Sequence, residues 1–202
     1  MRLFRPCFLA SWFFPEVIFR IKASDKSLCL TFDDGPDPGS TLQILELLER
    51  HGIRAVFFCS GRAAEKYPDL VDIIKSKEHI IGNHGYDHLN GWFTSVANYC
   101  KDVNYASGFT SARLFRPPYG HMRFRQYRLL KKAYRIVLWD VMPYDFDKRF
   151  GSDNMLKVLK QKIRPGSIIV LHDKPGSIIP ELINDFILFT EKEKYRFALP
   201  EF

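Results

Sequence analysis

Apolar residues follow two rhythms along the chain. Short runs rich in β-branched and aromatic residues recur at Leu28–Phe32, Arg54–Cys59, His79–Gly82, Leu114–Arg116, Arg135–Trp139, Ser167–Leu171 and Tyr195–Leu199, and runs of this kind predict strands. Between them the apolar positions take helical spacing, near 41–51, 60–77, 93–108, 123–134, 153–164 and 178–192. In the first of these stretches Leu42, Leu45, Leu47 and Leu48 share one side, Gln43, Glu46, Glu49 and Arg50 take the other, and Gly52 ends the helix. Alternating strands and helices imply βα units on a parallel sheet, which either opens into a doubly wound sheet or closes into a distorted barrel. Periodicity alone does not choose between them. No linker, repeat or low-complexity tract divides the chain, so one domain is expected.

Composition narrows the picture. With 202 residues, 46% of them hydrophobic and 26% charged, the chain is long enough to bury a core without metal or disulfide staples, so a metal here would be catalytic. Lys and Arg outnumber Asp and Glu by 30 to 23, a net charge of +7. That favours anionic partners such as membrane surfaces, lipid phosphates or acidic glycans. Nucleic acid is not expected, because the densest basic cluster, Arg123, Arg125, Arg128, Lys131 and Lys132, reads as the solvated face of one helix. The widely spaced Cys7, Cys29, Cys59 and Cys100 form no C-x-x-C pair and read as buried, reduced thiols in a cytoplasmic or other reducing location. The apolar run Cys7–Phe14 stops at Pro15 and Glu16 without a small-x-small cleavage site, so neither a signal peptide nor a transmembrane helix of about 20 residues is expected. Residues 1–26 are read as a segment that packs on the domain, or as an interfacial anchor with Trp12, Phe13 and Phe14 beside Arg2 and Arg5; residues 27–202 are expected to form the domain that carries any chemistry.

The unusual polar residues all follow strands. Asp33-Asp34-Gly35 follows the first, His84 and His88 the third, Arg116-Pro-Pro-Tyr-Gly120 ends the fourth, Asp140 and Asp145 follow the fifth, and His172-Asp173 ends the sixth. In parallel α/β folds the carboxyl ends of strands form one mouth where ligands and catalytic groups collect. The i, i+4 pair His84 and His88 can aim two imidazoles at one point, as a metal site requires, but alone it is a weak signal, and Gly85 removes the H-E-x-x-H reading. Asp33-Asp34-Gly35-Pro36 alone reads as a turn. Together they supply what a hydrolytic metal site needs, a third ligand and a carboxylate outside the coordination sphere. Pro117 stiffens the chain at Arg116, which can then be held against a carboxylate.

These segments resemble a known family, the polysaccharide deacetylases with a NodB-homology domain, also called carbohydrate esterase family four. Thr31-Phe-Asp-Asp-Gly-Pro36 is similar to its first motif, His84-Gly-Tyr-Asp-His88 to its second, Arg116-Pro-Pro-Tyr-Gly120 to its third, Trp139–Asp145 to its fourth and Val170-Leu-His-Asp173 to its fifth, and the resemblance covers about residues 27 to 200. It implies a distorted (β/α)7 barrel of NodB-homology type. It also implies metal-dependent removal of an N-acetyl group from an amino sugar in a glycan. On this resemblance Asp34, His84 and His88 hold one divalent ion, zinc being the expected one and Co2+, Ni2+ or Fe2+ acceptable to the same donors. Asp33 is the general base, Arg116 orients it, and His172, supported by Asp145, protonates the leaving amine. Pro118, Tyr119 and Phe146 lie on the substrate and oxyanion side. Gly85 replaces the family's usual Ser or Thr, Phe146 replaces a Trp, and the loose fourth motif leaves Asp140 and Asp147 as rivals to Asp145. Other readings are a deformylase or deacetylase of a lipid-linked amino sugar, a sugar O-acetyl esterase, and a glycan-binding barrel without activity.

Overall fold

A computed structural model gives the structure and describes residues 4–6, 10–22, 25–111, 113–174 and 179–200. Seven strands are found among them: β1 (Ser27–Asp34), β2 (Val56–Cys59), β3 (Ile80–Asn83), β4 (Leu114–Phe115), β5 (Arg135–Ile136), β6 (Ile168–His172) and β7 (Arg196–Phe197). All pair in parallel, in the order β5-β4-β3-β2-β1-β6, and β7 joins β1 near its start. Beyond β5 the chain continues to Val141, which bridges Ile169 of β6 and brings the two ends of the sheet together. The fold is the distorted barrel, not the open sheet.

Burial on both faces explains why β1 is one apolar run. Leu28, Leu30 and Phe32 point outward into a core shared with α2 (Thr41–Arg50) and α8 (Ile179–Lys192), while Cys29 points inward with Val56, Phe58, Leu114, Val137 and Ile168. The remaining helices are α1 (Ala10–Phe13), α3 (Gly61–Lys66), α4 (Pro68–Ser76), α5 (Val96–Ala106), α6 (Phe124–Leu130) and α7 (Ser152–Lys162). The single helix expected over 60–77 is two. Pro68 disfavours helical backbone at Tyr67, which has φ −128° and ψ 61°, and it opens α4 at its first position. The fourth and fifth strands are shorter than expected, two residues of ladder each, because isolated bridges replace continuous pairing beyond Ile136.

Along the N-terminal segment, Val17 and Ile21 are buried, Ile18 bridges Val137, and Phe14 packs edge-on against Tyr127, while Trp12 and Phe13 are exposed. Arg2 and Cys7 lie outside the described residues. Cys29 and Cys59 are buried free thiols, but Cys100 is only half-buried, a departure from the expectation for all four cysteines; its place on the outer helix α5 leaves one side open. Arg123, Arg125, Arg128 and Lys132 are exposed, as expected of a solvated helix face. No helix among the described residues is long and apolar enough to cross a membrane.

Candidate active site

The alternation of β1 ends at its last residue. Asp33 points inward and is buried; Asp34 has φ +82°, leaves the pleat, and turns its carboxylate toward the loop after β3. That loop is not helical, since Gly85 and His88 have φ +74° and +54°. It still brings the two imidazoles together. Asp34 Oδ1 lies 3.6 Å from His84 Nε2 and 3.2 Å from His88 Nε2, and donor atoms of the three residues all fall within 4.8 Å of one another.

Four observations fit this trio to a metal. Asp34 Oδ1 is buried and takes no aligned hydrogen bond, a costly arrangement unless a cation completes it. The Arg116 carbonyl lies 2.8 Å from His84 Nδ1 and can only accept, so Nδ1 carries the proton and the Nε2 lone pair faces Asp34. Burial pushes His84 down to about 4, so the imidazole is neutral at neutral pH. Burial alone would raise Asp34, but His88, His84 and His172 outweigh it and hold the carboxyl well below the usual range. Two imidazoles and one carboxylate suit a divalent ion with positions left open for reactants.

Two polar pairs flank the trio. Arg116 is fully buried inside the barrel, with its guanidinium 4.0 Å over the Phe58 ring. Its Nε and Nη2 donate to the carbonyls of Val137 (3.2 Å) and Leu138 (3.0 Å), and its Nη1 donates to Thr31 Oγ1 (2.7 Å) and Asp33 Oδ1 (2.6 Å). With Oδ1 so engaged, Asp33 has Oδ2 to offer, 3.8 Å from His84 Nε2. On the neighbouring strand His172 is in register with Asp33. Asp145 accepts from the His172 backbone N–H at 2.7 Å and lies 2.9 Å from its Nδ1. Burial alone would lower His172, but Asp145 above all reverses this and raises it to about 9. Asp140 instead binds Arg164 and Ser167, and Asp147 binds Arg149, so Asp145 alone of the three rivals meets His172.

The groups converge on a cavity of about 360 Å3 lined by Asp33, Asp34, His84, His88 and His172, with Tyr119, Phe146, Trp139 and His121 on its walls. Pro118 is buried and does not line it; the turn puts Pro117 there, since Pro118 packs inward at the start of the short helix that ends at Gly120. Sequence reasoning missed Lys174, Met142, Tyr144 and His121 as lining residues. A larger cavity, of about 880 Å3, lies among Arg113, Lys131, Lys132 and Arg135 at the amino ends of β3 to β5 and touches none of these groups.

The family model described as polysaccharide deacetylase matches residues 20–135, which hold Asp33, Asp34, His84, His88 and Arg116. The chain belongs to the polysaccharide deacetylase family. Members are hydrolases of carbon–nitrogen bonds other than peptide bonds and are metal-dependent. A peptidoglycan-N-acetylglucosamine deacetylase from Bacillus cereus is 34% identical over 157 residues, 74% of this chain and 56% of its own, so the chain spans little more than half of that relative. A chitooligosaccharide deacetylase from Azorhizobium caulinodans is 35% identical over 164 residues, 76% of this chain and 77% of its own. Among solved structures, a peptidoglycan N-acetylglucosamine deacetylase in complex with 4-naphthalen-1-yl-N-oxidanyl-benzamide superposes with a TM-score of 0.87 at 28% identity, covering 96% of this chain and 94% of that one.

Within this chain, Gly85 leaves the histidine loop to be held by another side chain. Asp102 of α5 accepts from the backbone N–H groups of Tyr86 (2.8 Å) and Asp87 (2.9 Å), and a Cβ at position 85 would stand 2.8 Å from its Oδ2. The glycine and the aspartate fit each other. Phe146 meets His172 edge-on at 5.0 Å and keeps an apolar wall where the family usually has Trp.

Proposed function

We propose that the protein removes an N-acetyl group from an amino sugar in a glycan, with one divalent ion, zinc foremost, held by Asp34, His84 and His88. The observation that carries this reading is one cavity that joins a metal-fit trio to a guanidinium-held carboxylate on one side and a carboxylate-held imidazole on the other. When bound, the ion supplies Lewis acidity toward the acyl oxygen and the attacking water. Asp33 takes the water proton at Oδ2, because Arg116 occupies Oδ1 and fixes the carboxylate plane. A backbone N–H beside Tyr119 supports the oxyanion, the charge that develops only in the transition state. His172 keeps Nδ1 on Asp145 and gives the departing nitrogen its proton from Nε2. An amine leaves poorly unless protonated, which is why the pair includes a carboxylate that favours imidazolium.

The test is release of acetate and formate from chito-oligosaccharides, peptidoglycan fragments and lipid-linked amino sugars, before and after chelation and reconstitution. Acetate release from an N-acetylated glycan, lost on chelation and regained with about one ion per chain, is expected. Formate release would move the assignment to a deformylase, acetate release confined to a lipid-linked sugar to a deacetylase of that lipid-linked amino sugar, ester-only activity to an esterase, and binding without turnover to a glycan-binding barrel. Asp33→Asn should keep the metal and lose about 10²–10⁴-fold in rate, whereas Asp34→Ala should lose the metal. Equal metal contents in the two variants would remove the division of roles.

A further inference from the structure

Among the described residues eleven large hydrophobic side chains are exposed, and six of them, Trp12, Phe13, Trp92, Phe93, Phe124 and Leu129, gather around α6. Phe124 and Leu129 stand on α6 itself, away from its buried Gln126, Tyr127 and Leu130. Trp92 and Phe93 occupy the turn before α5, and α6 holds that turn. Gln126 Nε2 donates to the carbonyls of Gly91 (2.9 Å) and Thr94 (3.1 Å), and Arg123 Nε donates to that of Trp92 (3.0 Å). Trp12 and Phe13 precede Phe14, whose ring lies 6.4 Å from that of Phe124 and 5.0 Å from that of Tyr127. Trp12 is 84% exposed and Phe93 83%, and apolar surface gathered in this way marks an interaction site.

The net charge lies in the same part of the chain. Between Gly91 and Trp139 stand nine Lys and Arg, only Arg116 of them inside the barrel, against one acidic residue; the rest of the sequence holds 21 against 22. That acidic residue, Asp102, is buried and bonds to the histidine loop. Arg125, Arg128 and Lys132 are interleaved with Phe124 and Leu129 on the exposed side of α6 and the turn after it. Among the described residues none of these three cations meets a carboxylate, and Glu16 answers Lys131 alone. A solvated helix face has no use for phenylalanine and leucine, and an acidic polysaccharide has none for six exposed apolar groups. A second copy of this chain would set like charges against one another. Cations interleaved with large apolar side chains suit an anionic lipid surface, where the apolar groups enter the boundary of headgroups and acyl chains and the cations stay with the phosphates.

We propose that this flank docks the protein on the surface of an anionic bilayer, with Trp12, Phe13, Phe93, Phe124 and Leu129 at the headgroup boundary and Arg125, Arg128 and Lys132 on the lipid phosphates. The Trp92 ring stacks on His121 at 3.6 Å, and His121 lines the catalytic cavity, so docking sets the mouth of that cavity beside the membrane. Docking of this kind is independent of the reaction assigned to the cavity.

The test floats the full, metal-loaded chain with vesicles of phosphatidylcholine, alone or with about one third phosphatidylglycerol. The parent should rise with the anionic vesicles and not with the neutral ones. Arg125→Gln with Arg128→Gln and Lys132→Gln should weaken that binding about a hundredfold, the loss of roughly three charges near the surface. Phe93→Ser with Leu129→Ser should weaken it about tenfold, since binding scales with the apolar area that enters the interface. Both sets replace exposed side chains, and an unchanged thermal unfolding midpoint shows that the fold is kept. Lipid brominated on the upper acyl chain should quench the tryptophan fluorescence of the parent, a readout that needs no variant. Equal binding to both kinds of vesicle, binding unchanged in either variant, or binding without quenching overturns the docking flank. A single-stranded oligonucleotide that binds through the same cations, with no vesicle binding, assigns the flank to nucleic acid and overturns it as well. So does a dimer in solution that Phe93→Ser with Leu129→Ser dissolves while vesicles are ignored.

Discussion

Asp145 and His172 meet although 27 residues separate them, and what that contact does can be read from protons. Burial disfavours a charged imidazole, the Asp145 carboxylate favours it, and the balance lifts His172 to about 9. The protonated form therefore persists through neutral pH and is lost as the pH rises through that value, so with His172 in the proposed role the alkaline limb of the rate profile is expected to follow its titration. Asp145→Asn removes the opposing charge and should bring that limb down by about one to three pH units, with the acidic limb left in place. The check is kcat against pH for parent and variant. A limb that does not move means that the proton reaches the leaving group from another residue.

At the level of elements, the loop after β3 works only because α5 holds it. Asp102 accepts two successive backbone N–H groups within the stretch between His84 and His88, and Asn83 Oδ1 accepts the N–H of Gly85 at 2.8 Å. Groups that orient ligands from outside typically matter by about 10–100-fold in metal affinity, and Asp102→Ala should weaken binding of a divalent ion by that much, with the fold retained. Competition with a chromophoric chelator measures it, and unchanged affinity would reduce Asp102 to a helix residue. The sequence could not have pointed to Asp102, since it lies 14 residues beyond His88 on a helix and no spacing rule links the two. Motif residues on strand ends were legible because β1 and β6 are long apolar runs that stop at Asp34 and His172. Two-residue ladders such as β4 and β5 carry too little pattern to fix where pairing ends. The break at Pro68 was written in the chain, but an apolar spacing continuous across it concealed two helices.

The whole molecule depends on how its sheet closes, because the pairs proposed as catalytic straddle the junction. Asp33 and His172 sit on neighbouring strands, Arg116 reaches across the interior from the end of β4, and Asp145 arrives from the chain that has just passed the seam. Across that seam the backbone bonds are few: Asp140 and Val141 donate to the Ile168 carbonyl at 2.9 and 3.1 Å, and Val170 donates to Val141 at 3.0 Å. The buried Asp140 carboxylate adds bonds from Ser167 (2.6 Å) and Arg164 (2.5 and 3.1 Å), so a residue that sequence offered as a catalytic rival serves as the clamp of the barrel. Burial pushes its pKa up, but Arg164 and Ser167 outweigh that and hold it below the usual range. A depressed carboxylate stabilises the fold above its unfolded value of about 3.9 and loses that contribution as the pH falls through the folded value. Asp140→Asn should therefore cost about 1–3 kcal/mol at pH 7, and the gap should narrow steadily on acidification below about 4. Urea unfolding of parent and variant at pH 7 and pH 3 measures both numbers. A gap of the same size at both values would mean that the clamp works through hydrogen bonds alone, with the charge on Asp140 contributing nothing to the closure of the barrel.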